Sequence, residues 1–254
     1  LQQLHKWAED RTYLLLTGMD KHLSKGQFDL LEEYFGPSKF YPGRKKARIW
    51  QAILDKKIDV STQAKHIKPS TLDLKQFDLR LESQANVFSQ DKLDIGTRFF
   101  LENFSALPEV SMVADLACGN GILGLSYLRM HPKASMLLTD ESFQAAQSCE
   151  TNWKNNIPNA NVTIRSDDGL KHAKSSEFNL ILCNPPFHHQ HIVGTNIAFS
   201  LFKDAFRSLK KGGEFWIVAN RHLGYHISLK KLFGNCSTEA SNKKFVILKA
   251  IKYR

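Results

Sequence analysis

Hydrophobic and polar positions in residues 110–220 alternate between short apolar runs and segments with helical periodicity. The apolar runs typical of buried strands are MVADLA (112–117), ASMLLTD (134–140), NVTIRS (161–166), FNLILC (178–183) and EFWIVAN (214–220). Between them, apolar side chains recur every three or four positions in three segments predicted to be helices, 122–130, 142–155 and 195–209. We expect Gly212 and Gly213 to end the last helix. The alternation predicts an α/β fold whose parallel sheet is covered on both faces.

The two ends of the chain follow other patterns. The segment LGYHISLKKLF (223–233) predicts a helix closed by Gly234, and the residues after it predict a hairpin that adds an antiparallel strand. Residues 1–70 hold a strand-like run, YLLLTGM, and a helical one, FDLLEEYFG, but no glycine loop and no acidic strand end. We therefore predict a small non-catalytic domain at 1–70 and a catalytic domain at 71–254.

Composition narrows the class of protein. A chain of 254 residues with 42% hydrophobic content can bury one sizeable core with a smaller module beside it. No run approaches the ~20 apolar residues of a membrane span, so no membrane partner is expected. The four cysteines form no CxxC pair, which suits a reducing cytosol. The formal charge of +10, with clusters at GRKKAR (43–48) and after Lys230, favours a polyanionic partner such as a nucleic acid over a merely basic soluble protein.

The stretch DLACGNGILG, Asp115 to Gly124, joins a predicted strand to a predicted helix through a glycine loop. Gly119 and Gly121 let the backbone approach a ligand closely, which is typical of sites for adenosine-containing cofactors at the carboxyl edge of a parallel sheet. Together with Gly124 they also satisfy GxGxxG. A nicotinamide dehydrogenase and a tight glycine turn without a ligand therefore stay open.

Carboxylates follow the next two predicted strands. Asp140 closes one strand 25 residues after Asp115, where a carboxylate can accept hydrogen bonds from both ribose hydroxyls of NAD or S-adenosylmethionine. The alternative for Asp140 is a helix N-cap in TDES. Asp167 and Asp168 follow the third strand, where a carboxylate can accept from the N6 amine of an adenine ring. Ordinary turn chemistry explains this Asp-Gly sequence equally well.

The strand LILC ends in Asn184, Pro185, Pro186 and Phe187. Hydride transfer does not require a carboxamide next to rigid backbone carbonyls, whereas methylation of an exocyclic amine does. The Asn184 side-chain oxygen and the Pro185 carbonyl can hold the two hydrogens of the amine, and the prolines restrict the backbone that carries these acceptors. Phe187 supplies a face on which the target base can stack. The alternative is a simple Asn-Pro turn that ends a strand.

Two further segments leave alternatives open. The three histidines of HHQH (188–191) invite a metal site, but no fourth ligand is in sight and methyl transfer needs no metal, so a loop that contacts RNA or shapes the base pocket is preferred. The segment VFSQDKLDIGTRFF (87–100) could close over the cofactor. In the competing interpretation, Thr97 caps the helix RFFLENF.

Taken together, these motifs resemble the class I S-adenosylmethionine-dependent methyltransferases, and more narrowly the RsmC/RlmG family of bacterial ribosomal RNA guanine-N2 methyltransferases. NPPFHHQH, VANRHLGY, KKLFGNC and NKKFVILKA resemble the large-subunit branch, over residues 85–254. The resemblance implies a Rossmann-like, mostly parallel seven-stranded sheet with a C-terminal antiparallel hairpin. It also implies amine-holding and base-stacking by Asn184, Pro185 and Phe187, and cofactor contacts at Asp115, Gly119, Gly121, Asp140 and Asp168. We further expect cofactor contacts at Ala117, Asp167 and Asn184. Ala117 stands where such loops usually carry their first glycine, which leaves its backbone carbonyl available.

The expected function is transfer of a methyl group from S-adenosyl-L-methionine to the N2 amine of a guanine in 23S ribosomal RNA, in the cytoplasm. The alternatives are guanine N2 of 16S RNA, adenine N6, a protein side-chain amide, or an RNA-binding or ribosome-assembly module without catalysis. The family also carries a complete N-terminal domain that assists RNA binding. Residues 1–70 resemble its C-terminal part only, so we expect the chain to be a fragment.

Overall fold

The computed structural model describes residues 1–43, 45–60, 69–88, 92–186 and 193–254. The chain separates into two units, Leu1–Ile67 and Lys68–Arg254. None of the described helices is both long enough and apolar enough to cross a membrane.

The first unit is a three-stranded antiparallel sheet with helices packed against it. Its elements are α1 (Gln2–Trp7), β1 (Tyr13–Met19), α2 (Lys25–Phe35), β2 (Ser38–Tyr41) and β3 (Ala47–Ile53), in the strand order β1-β3-β2. A capping box between Ser24 and Gln27 starts α2, because each side chain accepts a hydrogen bond from the backbone N–H of the other residue. Leu31 and Phe35 of α2 pack with Ala52 and Leu54 in a small core.

The second unit contains a two-stranded hairpin and a seven-stranded sheet. Its strands are β4 (Ser70–Leu74), β5 (Leu79–Ser83), β6 (Met112–Leu116), β7 (Ser135–Asp140), β8 (Asn161–Ser166), β9 (Phe178–Cys183), β10 (Leu209–Asn220), β11 (Ser237–Ser241) and β12 (Phe245–Ile251). Its helices are α3 (Ile95–Leu101), α4 (Ile122–Met130), α5 (Phe143–Asn156), α6 (Val193–Ser208) and α7 (Tyr225–Phe233). Short 3₁₀ helices follow β4 and β10, and another follows α3.

The order of the large sheet is β11-β12-β10-β9-β6-β7-β8. All pairs from β10 to β8 are parallel, whereas β12 is antiparallel to both β10 and β11. Apolar clusters cover both faces, one containing Phe100, Leu125 and Trp216 and the other Ile181, Phe202 and Phe215. The predicted α/β class, the mostly parallel seven-stranded sheet and the closing antiparallel hairpin are confirmed.

The expectation that Gly212 and Gly213 end a helix is wrong. Helix α6 ends at Ser208, and β10 begins at once with Leu209. The two glycines lie in an irregularity of β10, where the register against β9 shifts between Leu209 and Glu214. Gly212 has φ +80° and donates its N–H to the Lys252 carbonyl over 2.7 Å. Glycine is used here for a bulge that bends the strand rather than for a helix C-terminus.

A ladder of polar side chains on α5 holds the β4–β5 hairpin, which the sequence analysis did not predict. Asn152 accepts from Glu82 N at 2.7 Å and donates to Glu82 O at 2.8 Å, and Asn156 makes the same pair of bonds to Arg80. Ser148 accepts from the backbone N–H of Gln84. These positions are four residues apart on one face of α5. Their side chains form hydrogen bonds to backbone groups of β5 that would otherwise need a neighbouring strand.

Candidate cofactor and methyl-transfer site

A cavity of about 370 Å³ lies at the carboxyl edge of the large sheet. Loops that follow β6, β7, β8 and β9 form most of its wall, and α3, α6 and residues 86–88 complete it. Of the predicted site residues, the cavity is lined by Ala117, Gly119, Asp140, Asp167, Asp168, Asn184 and Pro185. The structure therefore brings together four separate motifs from different parts of the chain, as expected where parallel strands end side by side.

The glycine loop meets the cavity through Ala117 and Gly119. Both have left-handed backbone, with φ of 60° and 57°. A Cβ at Gly119 would find no protein atom within 4 Å, so the backbone there borders open space. Gly121 has φ 86° but does not line the cavity, and a Cβ there would lie 2.6 Å from the Cys149 sulfur. Gly121 is thus required by the packing of the loop on α5 rather than by an approach to a ligand.

Asp140 closes β7 and connects the glycine loop with the start of α5. Its Oδ2 accepts from Gly119 N at 2.8 Å and its Oδ1 from Ser142 N at 2.9 Å. Ser142, not Asp140, is the N-cap of α5. Because a carboxylate has about four acceptor positions, Asp140 can hold the loop and still accept two hydroxyl donors from a ligand in the cavity.

Asp115, predicted to contact the cofactor, does not line the cavity. The residue is fully buried, and its Oδ2 accepts from Gly124 N at 2.8 Å, which ties the first turn of α4 to β6. Its Oδ1 has no hydrogen-bond partner among the described residues. Burial, with a smaller contribution from the charge of Asp140, raises the pKa of Asp115 to about 7.

The two aspartates after β8 differ in their surroundings. Asp167 is buried, and its carboxylate contacts the His172 ring at 2.9 Å and accepts from His172 N at 3.3 Å. Asp168 is exposed and forms an ion pair with Lys171. Both residues line the cavity beside Gly169, so either could face an adenine ring.

Asn184 follows β9, and hydrogen bonds fix the orientation of its amide. Its Nδ2 donates to Thr97 Oγ1 at 2.9 Å, while the Thr97 hydroxyl lies 3.3 Å from Asp94 Oδ2. A carboxylate can only accept, so the Thr97 proton points to Asp94 and the Thr97 oxygen receives the Asn184 amide. The Asn184 Oδ1 is buried and has no partner among the described residues. An unused acceptor therefore lies in the cavity wall.

Thr97 is the main residue that the sequence analysis misassigned. Asp94, not Thr97, caps α3, because its side chain accepts from Thr97 N at 2.8 Å. Thr97 lines the cavity together with Asn86, Val87 and Phe88. The segment 87–100, predicted to close over the cofactor, therefore borders the cavity near its start and near its end. Nothing in the local pattern around Thr97 indicates a partner 87 residues away.

Other predicted features lie outside the described residues. These are Phe187 and the histidines of HHQH, and residues 89–91 of the segment before α3. Elsewhere in the chain, the part that the structure describes contains no group of three or more His, Cys, Asp or Glu side chains arranged to hold a metal ion.

Two sequence families match the chain. The Methyltransferase small domain family matches residues 78–249, and the RLMG N-terminal domain family matches residues 1–58. Ribosomal RNA large subunit methyltransferase G of Stutzerimonas stutzeri is 42% identical over 99% of this chain, and the protein of the same name from Psychromonas ingrahamii is 38% identical. The chain spans 66% and 65% of the length of these curated relatives.

Solved structures share the fold. A Thermus thermophilus 16S rRNA N2 G1207 methyltransferase in complex with AdoMet and guanosine superposes with a TM-score of 0.83 at 21% identity, over 98% of this chain and 67% of that one. A methyltransferase from Pyrococcus furiosus superposes with a TM-score of 0.56 over 71% of this chain and 92% of that one, at 14% identity.

S-adenosylmethionine is the cofactor that the cavity fits. The open space beside Gly119 admits a ligand close to the backbone, Asp140 retains acceptors for ribose hydroxyls, and the volume is within the range of small-molecule sites. The resemblance predicted from the motifs is confirmed, and the chain belongs to the methyltransferase small domain family.

Proposed function

We propose that the chain carries the catalytic domain of an enzyme that transfers a methyl group from S-adenosylmethionine to the exocyclic N2 amine of a guanine in large-subunit ribosomal RNA. The observation that carries the proposal is the buried Oδ1 of Asn184, which has no partner among the described residues and is held in the cavity wall by a hydrogen bond from Asn184 Nδ2 to Thr97. A buried acceptor without a donor is costly unless a ligand supplies one.

The proposed chemistry follows from the low nucleophilicity of an exocyclic amine. Its lone pair is delocalised into the ring, so it is a weak nucleophile and needs orientation. We assign the Asn184 Oδ1 and the Pro185 carbonyl as acceptors for its two hydrogens, which aims the lone pair across the cavity. Bound S-adenosylmethionine would supply the methyl group from its positively charged sulfur, which leaves as a neutral thioether. The methylated amine loses one proton only after the transfer, so no strong base is required. Phe187 is proposed to stack on the target base.

The remaining predicted site residues are proposed to bind the cofactor. We assign the ribose hydroxyls to Asp140, the adenine to Asp167 or Asp168, and the methionine part to the loop at Ala117 and Gly119. Asp115 and Gly121 act indirectly, since they shape the loop from behind.

Two comparisons support the finer assignment of the substrate. The 42% identical relative is named as a large-subunit ribosomal RNA methyltransferase, and the solved structure with the same fold is a guanine-N2 methyltransferase in complex with guanosine. With ribosomal RNA as the substrate, we propose that the reaction takes place in the cytoplasm. For the first unit, residues 1–67, we propose assistance in RNA binding.

The test incubates the full-length protein and labelled S-adenosylmethionine with protein-free 23S and 16S RNA from cells that lack the gene, followed by digestion and identification of the methylated nucleosides. We expect N2-methylguanosine in 23S RNA alone. N6-methyladenosine, or label only in 16S RNA or in protein, would replace the proposed target. No label in naked RNA or in assembled subunits would favour a binding module without catalysis.

The role of Asn184 is tested separately with Asn184→Ala. We expect a loss of transfer by at least about 100-fold, the effect typical of removing one preorganised polar contact to the reacting group, with cofactor affinity nearly unchanged. Calorimetry measures the affinity and single-turnover assays measure the transfer. Retained transfer would contradict the assignment.

A further inference from the structure

The topology of the large sheet determines on which side of Asn184 the RNA strand can lie. The proposed cofactor residues follow β6, β7 and β8, which all lie on one side of β9. Asn184 ends β9 itself. On the other side lies β10, parallel to β9 with Ile217 beside Cys183, so the end of β10 at Asn220 reaches the same edge of the sheet. Nucleotides that flank a base held at Asn184 can therefore meet the end of β10, on the side away from the proposed cofactor residues.

Four basic side chains occupy that side. Arg221 and His222 follow β10, Lys243 and Lys244 precede β12, and all four are exposed. We call these four residues the basic rim. The antiparallel pairing of Asn220 with Phe245 places the two pairs next to each other.

Hydrogen bonds hold the two halves of the basic rim together. Arg221 N donates to Lys244 O at 2.9 Å, and Arg221 Nη1 donates to Asn242 O at 3.2 Å. The Asn242 side chain in turn accepts from the backbone N–H groups of Lys244 and Phe245. The basic rim therefore lies on backbone whose conformation is fixed by hydrogen bonds.

Phe245 connects the basic rim to the methyl-transfer site. Its ring packs against Gly96 so closely that a Cβ there would lie 3.0 Å from the ring. The next residue is Thr97, whose hydroxyl holds Asn184 at 2.9 Å. A chain of contacts through Phe245, Gly96 and Thr97 thus connects the basic rim to the proposed catalytic amide.

The cations Arg221, Lys243 and Lys244 of the basic rim have no ion-pair partner in the part of the chain that the structure describes. The carboxylates of β10 and β11 are engaged elsewhere, Glu214 with the Trp216 ring nitrogen and Glu239 with Lys249. Cations that are concentrated and unpaired at one edge favour a polyanion.

We propose that the basic rim binds backbone phosphates of the RNA immediately next to the target guanine. That RNA is the ligand rests on the proposed function. The location of the site rests on the sheet topology and on the basic side chains described above. Contacts to phosphate fix the register of the RNA while Asn184 acts on the base.

The test neutralises both lysines in Lys243→Gln/Lys244→Gln and compares them with a matched pair, Lys230→Gln/Lys231→Gln. The control lysines are also adjacent, exposed and without ion pairs in the described structure. They lie in the last turn of α7, next to Asn235, which bonds Ile251 at the opposite edge of the sheet. Both variants keep the fold-determining residues and the cavity intact.

Affinity for protein-free 23S RNA is measured by filter binding from 50 to 250 mM KCl. Each lost phosphate contact lowers the slope of log affinity against log salt by about 0.7–0.9, so we expect a decrease of roughly 1.5 and about a tenfold weaker affinity near 100 mM. The control pair should match the wild type, and cofactor affinity should stay unchanged in both. An unaltered slope, or an equal loss in the control pair, would overturn the proposal.

Methyl transfer measured on the same samples separates this proposal from the proposed function. If wild-type protein transfers methyl groups but the basic-rim variant retains its salt slope, only the basic rim is refuted. If the slope changes as expected while no RNA is methylated by the wild type, the basic rim stands and the proposed reaction fails.

Discussion

At the scale of single residues, the Thr97 hydroxyl determines which atom Asn184 presents to the cavity. Because that hydroxyl donates to Asp94 and accepts from Asn184 Nδ2, it prevents the amide from turning over. Without it, the amide could place its NH₂ group where the substrate amine needs an acceptor. Thr97 is therefore a positioning residue that acts through Asn184.

Thr97→Val removes the hydroxyl and keeps the shape of the side chain. We expect kcat to fall about tenfold or more, equal to ~1.4 kcal/mol of lost transition-state stabilisation, with little change in KM for S-adenosylmethionine. Steady-state kinetics on 23S RNA measure both parameters. Thr97→Ser restores the hydroxyl and should recover most of kcat, whereas a purely structural role of the side chain would leave Ser and Val equally impaired.

Asp140 should be separable from Asn184 by its effect on the cofactor. Asp140→Ala removes the acceptor for ribose hydroxyls and releases the Gly119 and Ser142 N–H groups. Lost hydrogen bonds to a charged group predict a 10- to 100-fold weaker affinity for S-adenosylmethionine, or about 1.4–2.7 kcal/mol, by calorimetry. Glu150→Gln on the exposed face of α5 is the charge-matched control. An unchanged dissociation constant would refute the ribose assignment.

Sequence alone predicted the position of those residues that reach the cavity at the end of a strand. Asn184 and Asp140 stand at strand ends, where the alternation of strand and helix places them at one sheet edge. Asp115, at the end of β6, and Gly121, in the glycine loop, belong to the same motif but contact the protein interior rather than the cavity. The partnership of Thr97 with Asn184 depends on how α3 packs against the sheet, which no local pattern encodes.

At the scale of elements, the polar ladder on α5 holds the β4–β5 hairpin next to the cavity. Asn152 is fully buried, and besides its two bonds to Glu82 it donates to the Asn120 carbonyl at 2.9 Å. Asn120 and residue Asn86, just beyond β5, both line the cavity. The hairpin and the glycine loop are thus braced by one side chain.

Asn152→Ala would leave three backbone groups without their side-chain partner, the part-buried N–H and C=O of Glu82 and the buried C=O of Asn120. We expect the free energy of unfolding to fall by roughly 2–4 kcal/mol, and cofactor affinity to fall as well because the Asn120 carbonyl loses its donor. Urea denaturation and calorimetry measure the two effects. Asn156→Ala, which removes the corresponding but exposed bonds to Arg80, should cost about 1 kcal/mol or less and leave cofactor affinity unchanged. Equal effects of the two substitutions would contradict the bracing role.

Element boundaries were predicted well where periodicity and sheet burial agree. The predicted bounds of α4, β8 and β9 match the structure. The prediction failed at Gly212 and Gly213, because a glycine pair indicates a break in regular structure but does not say which kind. Here the break is a bulge in which Gly212 N–H and Gly213 C=O form hydrogen bonds to the backbone of Lys252. Lys252 lies 40 residues after Gly212 in the sequence, so no local pattern indicates this pairing.

At the scale of the whole molecule, the buried carboxyl of Asp115 links stability to pH. Its folded pKa of about 7 lies above the ordinary value of 3.8, because burial disfavours the charged form. The folded state then holds this proton more tightly than the unfolded state does. The stabilising contribution is complete below about pH 4 and is lost as the pH rises through 7, by roughly 1.4 kcal/mol per unit within that window.

Asp115→Asn keeps an acceptor for Gly124 N but cannot ionise, so it should abolish this contribution. Between pH 5 and pH 8 we expect the wild type to lose about 3 kcal/mol more stability than the variant, from urea denaturation without cofactor. Asp73→Asn, at an exposed carboxyl on β4, should follow the wild type. Parallel pH profiles for the wild type and Asp115→Asn would show that Asp115 ionises equally in both states. The interior beneath the glycine loop would then have to be more polar than its packing indicates.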